Sequence, residues 1–260
     1  MTDLAGRVAL VTGASAGIGA ATARAFAAAG MRVALCARRR DRLEALAAEL
    51  RARTDASVHA VDVTDEKAVR AMVDEVAGRF GALDVLVNNA GRGLAARFED
   101  TRPDELRALL ELNLIAVLTA TQAALPIMRR QGRGHVINVS SIVGRRNLPG
   151  RTAYGATKFG LGGLTEALRL ELRGTGIAVS LVYPIFTLTE FHEVETRREP
   201  LKRTGPAQSA ETVARAILRC VRRPRPEVYP YAPARLLAGL AAVAPGLVDR
   251  LMDRALRRAR

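Results

Sequence analysis

The feature that most constrains the fold of this chain is a repeated alternation of short apolar runs with longer amphipathic stretches. The chain first has the apolar run "RVALVTG" and a helical stretch from about residue 17, and then "MRVALCA" and the amphipathic "RDRLEALAAELRAR". Four more apolar runs follow, each before a stretch of helical periodicity: "SVHAVDV", "LDVLVNN", "HVINVSS" and "IAVSLVYP". Such alternation indicates a parallel sheet with helices on both faces. We therefore predict an α/β, doubly wound fold.

The predicted sheet accounts for one domain over residues 1–230, followed by a helical C-terminal extension over 231–260. The chain has 260 residues, of which 49% are hydrophobic, so it can bury a sizeable core. It begins without a basic segment and long apolar stretch, and no uninterrupted apolar run reaches the roughly 18 residues of a spanning helix. We expect a soluble, cytoplasmic protein.

Charge and composition bear on the kind of ligand. A net charge of +14 would suit nucleic acid, because clustered cations bind phosphates by releasing counterions. The basic residues are instead spread over the whole chain, and aromatic residues make up only 4% of it, which disfavours base stacking. Two cysteines, Cys36 and Cys220, and three widely separated histidines lack metal-ligand spacing. Composition therefore argues against nucleic-acid binding and against a metal site.

Ligands of doubly wound sheets bind beyond the carboxyl ends of the strands. The first strand runs into "VTGASAGIG", which places Gly13, Gly17 and Gly19 before the first helix. Glycine permits a tight turn here and lets backbone amides approach a pyrophosphate at the positive end of the helix. Glycine triplets also serve ordinary turns, but this position between strand and helix favours a dinucleotide.

The ends of the second and third strands bear on the choice of cofactor. An acidic side chain after the second strand would accept hydrogen bonds from the ribose of NAD, whereas a basic one neutralises the extra phosphate of NADP. Arg38 and Arg39 stand here, which favours NADP over the alternative of a solvated helix start. After the third strand, Asp62 is placed either to accept a hydrogen bond from adenine or to cap the next turn.

The fourth strand ends in "VNNAGRG", in which adjacent asparagines precede a glycine. Such a run forms a turn, or its amides hold backbone and cofactor. The residues themselves leave both interpretations open.

A tyrosine and a lysine lie four residues apart in "AYGATK". In a helix Tyr154 and Lys158 share a face, and a nearby cation lowers the pKa of a phenol from about 10. Ser141, on the preceding strand end, is placed to polarise a carbonyl oxygen. Asn113 is polar within an apolar helical stretch and needs a partner such as a water leading to Lys158. The alternative is a surface Tyr and Lys pair beside a locally bonded Asn.

The set "TGASAGIG", "NNAG", Asn113, Ser141 and "YGATK" resembles the short-chain dehydrogenase/reductase family over roughly residues 5–190. The resemblance implies a Rossmann-type nicotinamide enzyme in which Tyr154 is the general acid and base and Ser141 orients the carbonyl. It implies that Lys158 bonds the nicotinamide ribose and lowers the tyrosine pKa, and that Asn113 holds a proton-relay water. Asp62 falls on the family's adenine position and Asn89 on its cofactor-side position.

The implied function is NADP(H)-dependent hydride transfer between nicotinamide and a carbonyl or secondary alcohol. The alternative is a non-catalytic NADP(H)-binding sensor or interaction protein, since a fold alone does not establish activity. The predicted cofactor-binding residues are Gly13, Ser15, Gly17, Ile18, Gly19, Arg38, Arg39, Asp62, Val63, Asn89, Ala90, Gly91, Tyr154, Lys158, Pro184, Thr187 and Thr189.

One departure from the family pattern follows the sixth strand. Many members read Pro-Gly there, with a threonine a few residues on, whereas "YPIFTLTEF" has Ile185 after Pro184. The following charged segment, 185–208, has no clear periodicity and is interpreted as a lid over the substrate. A largely apolar substrate is expected because the predicted pocket residues are Leu94, Leu148, Ile185, Phe186 and Phe191.

A second departure is the end of the chain, which lacks the Val-Asp-Gly-Gly signature of many tetrameric members. We expect a last strand near 226–230, helical segments after it, and a homodimer or higher homo-oligomer. The apolar stretch 236–248 is too short to span a bilayer and is interpreted as a cover for the substrate cleft or a partner subunit. The alternatives are peripheral contact of the basic amphipathic tail with an anionic membrane and a merely solvated terminus.

Five arginines flank the predicted pocket. They are placed either to attract an anionic group on a large substrate or, more ordinarily for so arginine-rich a chain, at the surface. The five are Arg92, Arg97, Arg145, Arg146 and Arg151.

Overall fold

The computed structural model describes residues 3–192, 195–198 and 205–258. Its centre is a seven-stranded sheet in which the paired strands all run parallel, in the order β3-β2-β1-β4-β5-β6-β7. The strand order reverses between β1 and β4, and such a switch point is where doubly wound sheets bind ligands. The strands are β1 (Val8–Thr12), β2 (Arg32–Ala37), β3 (Ala56–Ala60), β4 (Val85–Asn88), β5 (Gly134–Val139), β6 (Ile177–Val182) and β7 (Glu227–Val228). The predicted α/β, doubly wound fold is confirmed.

Helices cover both faces of the sheet. Helices α1, α2 and α7 pack on one face, and α3, α5 and α6 contribute to the core on the other. The helices are α1 (Gly17–Ala28), α2 (Arg40–Arg51), α3 (Glu66–Phe80), α4 (Pro103–Leu110), α5 (Ala116–Gln131), α6 (Thr152–Glu171), α7 (Ala210–Arg222), α8 (Pro233–Val243) and α9 (Pro245–Arg258).

The apolar runs of the sequence become strands because both faces of the sheet are buried. Along β1, Val8 and Leu10 point into one core, whereas Ala9 and Val11 point into the other. None of these side chains is accessible to solvent. A strand with two buried faces reads as a continuous apolar run, which explains why "RVALV" does not alternate.

The long helix predicted near 103–131 is continuous from Pro103 to Gln131, with a π-helical turn, Glu111–Ile115, between α4 and α5. By length and composition it is the one helix in the described ranges that qualifies to cross a membrane. It lies against α3 and buries Ala120, Ala124 and Met128 in the core. Interior helices meet the same criterion, so this helix is weak support for a membrane span.

The segment 185–208 contains short ordered pieces rather than continuous coil. A strand Thr187–Leu188 pairs with Gln208–Ser209, and Leu94–Ala95 pairs with Thr196–Arg197. Residues 193–194 and 199–204 of the predicted lid, and 259–260 of the predicted extension, lie outside the described residues. The strand expected near 226–230 is β7, and the helices expected after it are α8 and α9.

Candidate active site

A cavity of about 940 Å³ extends along the carboxyl ends of the central strands, over the switch point between β1 and β4. Most of the residues predicted from the sequence line it. Those residues are Gly13, Ser15, Gly17, Ile18, Arg38, Arg39, Asp62, Val63, Asn89, Ala90, Gly91, Ser141, Leu148, Tyr154, Lys158, Pro184, Ile185, Phe186, Thr187, Thr189 and Phe191.

The glycine-rich loop has no room for a side chain at Gly13 or Gly19. Gly13 has a φ of +66°, and a Cβ atom there would lie 2.8 Å from Asn89 Nδ2. Gly19 does not line the cavity, because it packs directly behind the loop, where a Cβ atom would lie 2.2 Å from the carbonyl oxygen of Gly13. Asn89 Nδ2 fixes the loop by donating to the carbonyl oxygen of Thr12 at 2.9 Å. The loop therefore exposes backbone amides before α1, as an anion-binding cradle requires.

This packing makes Gly19→Ala a severe change. We expect the added methyl group to force the loop out of position, to weaken dinucleotide binding at least tenfold and to lower the free energy of unfolding by about 1–3 kcal/mol. Isothermal titration with NADPH and urea unfolding measure the two effects. Gly78→Ala is the matched control, since nothing lies within 4 Å of a Cβ atom at that exposed position in α3. It should leave binding unchanged and stabilise the helix by about 0.5–1 kcal/mol.

The asparagines at the end of β4 have different partners. Asn88 is buried, and its Nδ2 donates to Thr121 Oγ1 at 3.1 Å and to Asn138 Oδ1 at 2.9 Å. Asn89 instead holds the glycine-rich loop and lines the cavity. Of the two interpretations of "NNAG", Asn89 therefore follows the one in which an amide holds backbone, whereas the amide of Asn88 binds other side chains.

Basic residues line the end of the cavity beyond β2. Arg39 donates to Ser15 Oγ at 3.1 Å and forms an ion pair with Glu190. The side chain of Arg38 is 79% exposed and lies 3.8 Å from Asp62. Asp62 accepts hydrogen bonds from the backbone and hydroxyl of Thr64, which lower the pKa of its carboxyl group. Asp62 thus forms the local turn and also lines the cavity.

The tyrosine and lysine predicted to share a helical face both lie in the first part of α6 and are buried. The Tyr154 hydroxyl lies close enough to Ser141 for that side chain to lower its pKa. Lys158 Nζ donates to the carbonyl oxygen of Val139 at 3.0 Å and lies 5.8 Å from the centre of the Tyr154 ring. The three functional groups therefore converge on one region of the cavity.

The expected lowering of the tyrosine pKa is not found in this structure. Burial raises the pKa of Tyr154 to about 12, and the nearby Ser141 side chain and the charge of Arg151 oppose this rise only in part. Burial also lowers the pKa of Lys158 to about 8, because a desolvated ammonium is costly. The sequence interpretation counted the cation and left out desolvation. Tyr154 is accordingly a neutral phenol at neutral pH, a state suited to donating a proton.

Asn113 lies in the π-helical turn and uses its amide on protein groups. Its Oδ1 accepts from the backbone N–H of Arg92, and its Nδ2 donates to the Arg92 carbonyl oxygen and to Thr157 Oγ1, all at 3.0–3.1 Å. The amide nitrogen thus has protein partners for both of its hydrogens. A Cβ atom on Gly91 would lie 3.0 Å from Asn113 Oδ1 and 3.7 Å from Lys158 Nζ, which places both groups beside that glycine.

The apolar end of the cavity differs in part from the sequence prediction. Leu94 does not line it, because this residue is buried against Ala96, Leu109 and Ala153 in a separate cluster. Phe191 lies over the site, with its ring centre 6.0 Å from that of Tyr154. The sequence interpretation did not single out several lining residues from the extension, which are Tyr231, Pro233, Ala234, Leu237 and Met252. The apolar stretch 236–248, which was expected to cover the cleft, contains only Leu237 among them; the other four residues lie on either side of this stretch.

Four of the five flanking arginines have acidic partners. Arg145 pairs with Glu227, Arg146 with Asp249, Arg151 with Glu195 and Arg97 with Glu99. The Arg151–Glu195 pair is buried. Within the described part of the chain, no group of three or more His, Cys, Asp or Glu side chains is placed to hold a metal ion.

A family model described as short chain dehydrogenase matches residues 7–200. The chain belongs to the short-chain dehydrogenase family. It is therefore an oxidoreductase by family, with the seven-stranded Rossmann-type sheet of that family.

Relatives of this short-chain dehydrogenase include proteins of different length. It is 39% identical to glycine betaine reductase ATRR of Emericella nidulans over 85% of its own length, but it spans only 18% of that protein. It is 34% identical to dehydrogenase/reductase SDR family member 7B of Bos taurus, over 94% of this chain and 80% of that protein.

Two solved structures similar to this short-chain dehydrogenase hold different cofactors. A metagenomic short-chain oxidoreductase in complex with NADP is 35% identical with a TM-score of 0.75, over 88% of this chain and 98% of that one. The 3-ketoacyl-(acyl-carrier-protein) reductase of Brucella melitensis, complexed with NADH, is 30% identical with a TM-score of 0.77, over 84% and 91%. Similarity to these proteins therefore does not distinguish NADP(H) from NAD(H) as the cofactor of this chain, and the choice between them depends on the residues of the site.

Proposed function

We propose that the chain is an NADP(H)-dependent oxidoreductase that transfers a hydride between nicotinamide and a carbonyl or secondary alcohol on a largely apolar substrate. The observation that carries the proposal is the placement of Tyr154, buried in the cavity beside Ser141 and one helical turn from Lys158. Consumption of NADPH in the presence of apolar ketones and aldehydes tests it.

The residues present fit a dinucleotide. The glycine-rich loop lines the cavity at the amino end of α1, where a Cβ atom on Gly13 would lie only 2.8 Å from Asn89 Nδ2. The cavity continues from this cradle past Asn89 to Tyr154 and Lys158. The loop would hold the pyrophosphate, Arg38 and Arg39 would lie on the adenosine side, and Lys158 and Thr187 would lie on the nicotinamide side. When bound, the nicotinamide supplies or accepts the hydride.

The side chains of this chain supply the proton and orient the substrate. Ser141 donates a hydrogen bond to the carbonyl oxygen and thereby polarises the carbonyl carbon. Tyr154 gives its phenolic proton to the same oxygen as negative charge develops there. Its high pKa keeps it protonated until that point. For alcohol oxidation the same atoms act in reverse.

Lys158 and Asn113 support this proton transfer. The Lys158 ammonium stabilises the tyrosinate that remains after the proton has left. Asn113 fixes the Arg92 backbone and Thr157, which is the residue beside Lys158. A water held near Gly91 would connect Lys158 with this π-helical turn, and proton exchange with solvent would pass through it.

The ion pairs around the cavity favour an uncharged substrate. The partners of Arg146 and Arg151 supply negative charge within the protein. A substrate carboxylate would have to displace them at the cost of a desolvated charge. The remaining surface at this end includes Leu148, Ile185 and Phe186, which suit an apolar chain.

Arg39 supports the preference for NADP(H). We expect Arg39→Ala to weaken NADPH binding about 5- to 50-fold and to change NADH binding little, because a guanidinium binds a phosphate by charge-assisted hydrogen bonds. Isothermal titration with both cofactors measures the change. Arg40→Ala is the control, since Arg40 is the adjacent exposed arginine, pairs with Glu44 and does not line the cavity. Equal losses for NADPH and NADH in Arg39→Ala would contradict the assignment.

We further propose that the extension 231–260 covers the substrate cleft. Support comes from the residues of α8 and α9 that line the cavity and from the Arg146–Asp249 ion pair that attaches α9 to the loop after β5. The same proposal includes three further expectations. They are a domain of residues 1–230 with the lid 185–208, a cytoplasmic location, and a homodimer or higher homo-oligomer. Peripheral membrane contact through the tail is its alternative for the exposed apolar side chains of α8, among them Leu236 and Val243.

A further inference from the structure

An acidic residue of the segment after β6 reaches across the cavity to the cofactor side. One carboxylate oxygen of Glu190 lies 3.1 Å from Arg39 Nη1, and the other lies 2.9 Å from Arg42 Nη1. Arg39 immediately precedes α2 and Arg42 lies in its first turn, about 150 residues earlier in the chain. A single carboxylate therefore joins two guanidinium groups that the sequence places far from it.

The contacts of Glu190 lie in the part of the cavity assigned to the adenosine half of the cofactor. Arg39 also donates to Ser15 Oγ of the glycine-rich loop, and both residues line the cavity together with Glu190. The preceding residue, Thr189, lies against the same loop, since a Cβ atom on Gly17 would be 3.0 Å from its Cγ2 atom. Thr189 thus contacts the glycine-rich loop, and the Glu190 carboxylate joins the same segment to Arg39 and Arg42 by two ion pairs.

The carboxylate is ionised at neutral pH. Hydrogen bonds from Arg39 and Arg42 lower the pKa of Glu190, so the group carries its negative charge throughout the physiological range. A phosphate bound to Arg39 would lie next to the Glu190 carboxylate, which is 3.1 Å from the Arg39 guanidinium. The two negative charges would repel each other.

We propose that Glu190 is a specificity-determining residue that occupies, as an internal anion, Arg39, the arginine that would bind the ribose 2′-phosphate of NADP. This inference rests on the proposed function. Binding of a 2′-phosphate requires the carboxylate to leave Arg39, whereas a cofactor without that phosphate leaves the ion pairs intact. Glu190 therefore reduces the preference for NADP(H), and phosphate binding detaches residues 187–192 from α2.

The test uses two nucleotides that differ only in the phosphate at issue. Isothermal titration gives the Kd of adenosine 2′,5′-bisphosphate and of adenosine 5′-monophosphate for the full chain and for Glu190→Gln. We expect the substitution to lower the Kd of the bisphosphate about three- to tenfold and to leave that of the monophosphate unchanged. Glu44→Gln is the matched control, because Glu44 is also an exposed acid with two arginine neighbours, Arg40 and Arg51, on the same helix. It should change neither Kd.

The outcome is read from the ratio of the two dissociation constants. The inference would be overturned if the ratio were the same in Glu190→Gln and in the unchanged protein. It would also be overturned if Glu190→Gln bound the monophosphate more weakly, because that result would show that Glu190 accepts hydrogen bonds from the ribose. The NADP(H) proposal is tested separately by the ratio in the unchanged protein: no preference for the bisphosphate there would contradict it, even if the ratio rose in the variant.

Hydrogen exchange provides a second readout. In the unchanged protein, the bisphosphate should speed amide exchange in residues 187–192, and the monophosphate should not. In Glu190→Gln, exchange in this segment should already be fast without nucleotide. Slow exchange in the variant would contradict the attachment of the segment through Glu190.

Discussion

Tyr154→Phe is expected to lower kcat by about 10²–10⁴-fold, the range for loss of a positioned general acid. The substitution removes only the phenolic oxygen, so the ring keeps its packing against Phe191. The dinucleotide cradle around Gly13 is untouched, and the Kd for NADPH should stay within about twofold of its original value. Loss of turnover with intact cofactor binding is the signature of a proton donor.

The control for Tyr154→Phe is Tyr231→Phe. Tyr231 also lines the cavity, but it belongs to the extension and is 37% exposed. Its hydroxyl has no assigned role in the reaction, so kcat should be unchanged within about twofold. Steady-state rates of the two variants settle the matter: a fully active Tyr154→Phe enzyme would exclude the mechanism proposed above.

Lys158→Met is expected to remove activity and to stabilise the protein at neutral pH. Burial lowers the pKa of Lys158 to about 8, from an ordinary value of about 10.4. This shift means that keeping the buried ammonium costs up to about 3 kcal/mol at pH 7. Methionine avoids that cost. It also leaves the carbonyl oxygen of Val139 without the hydrogen bond from Lys158, and this loss cancels about 1 kcal/mol of the gain in stability. The expected net gain in the free energy of unfolding is about 1–2 kcal/mol.

The pH dependence distinguishes this explanation from a general packing effect. Between about pH 8 and 10.4 the unfolded state binds more protons at Lys158 than the folded state does, so the original protein becomes more stable as the pH rises. The advantage of Lys158→Met should therefore be complete below about pH 8 and should vanish by about pH 10.4. Urea unfolding at pH 7 and pH 10 measures it. Lys67→Met, at an exposed position in α3, should show no such dependence, and a pH-independent gain in Lys158→Met would contradict the account.

Local patterns in the sequence were sufficient for the frame of the site. A strand buried on both faces must be apolar throughout, so runs such as the one in β1 predict a parallel sheet with helices on both faces. Helical periodicity places Tyr154 and Lys158 on one face wherever the helix happens to lie. Glycines between the first strand and helix are needed because Gly19 packs against the Gly13 carbonyl.

Properties that depend on distant residues were not accessible in the same way. The pKa of Tyr154 was predicted in the wrong direction, because desolvation depends on how deeply α6 is buried and not on the spacing of its residues. Leu94 was assigned to the pocket, but pairing with Thr196–Arg197 directs its strand elsewhere. The partnership of Glu190 with Arg39 and Arg42 joins segments about 150 residues apart, and no periodicity signals it.

The central claim is hydride transfer to a carbonyl carbon with Tyr154 as the proton donor. The most direct measurement is mass spectrometry of products formed from NADPH that carries deuterium at both hydrogen positions of nicotinamide C4, over a panel of apolar ketones and aldehydes. The account predicts one deuterium on the former carbonyl carbon of the alcohol and its loss in Tyr154→Phe. Tight binding of NADPH with no deuterium in any product would contradict the account and favour a dinucleotide-binding sensor.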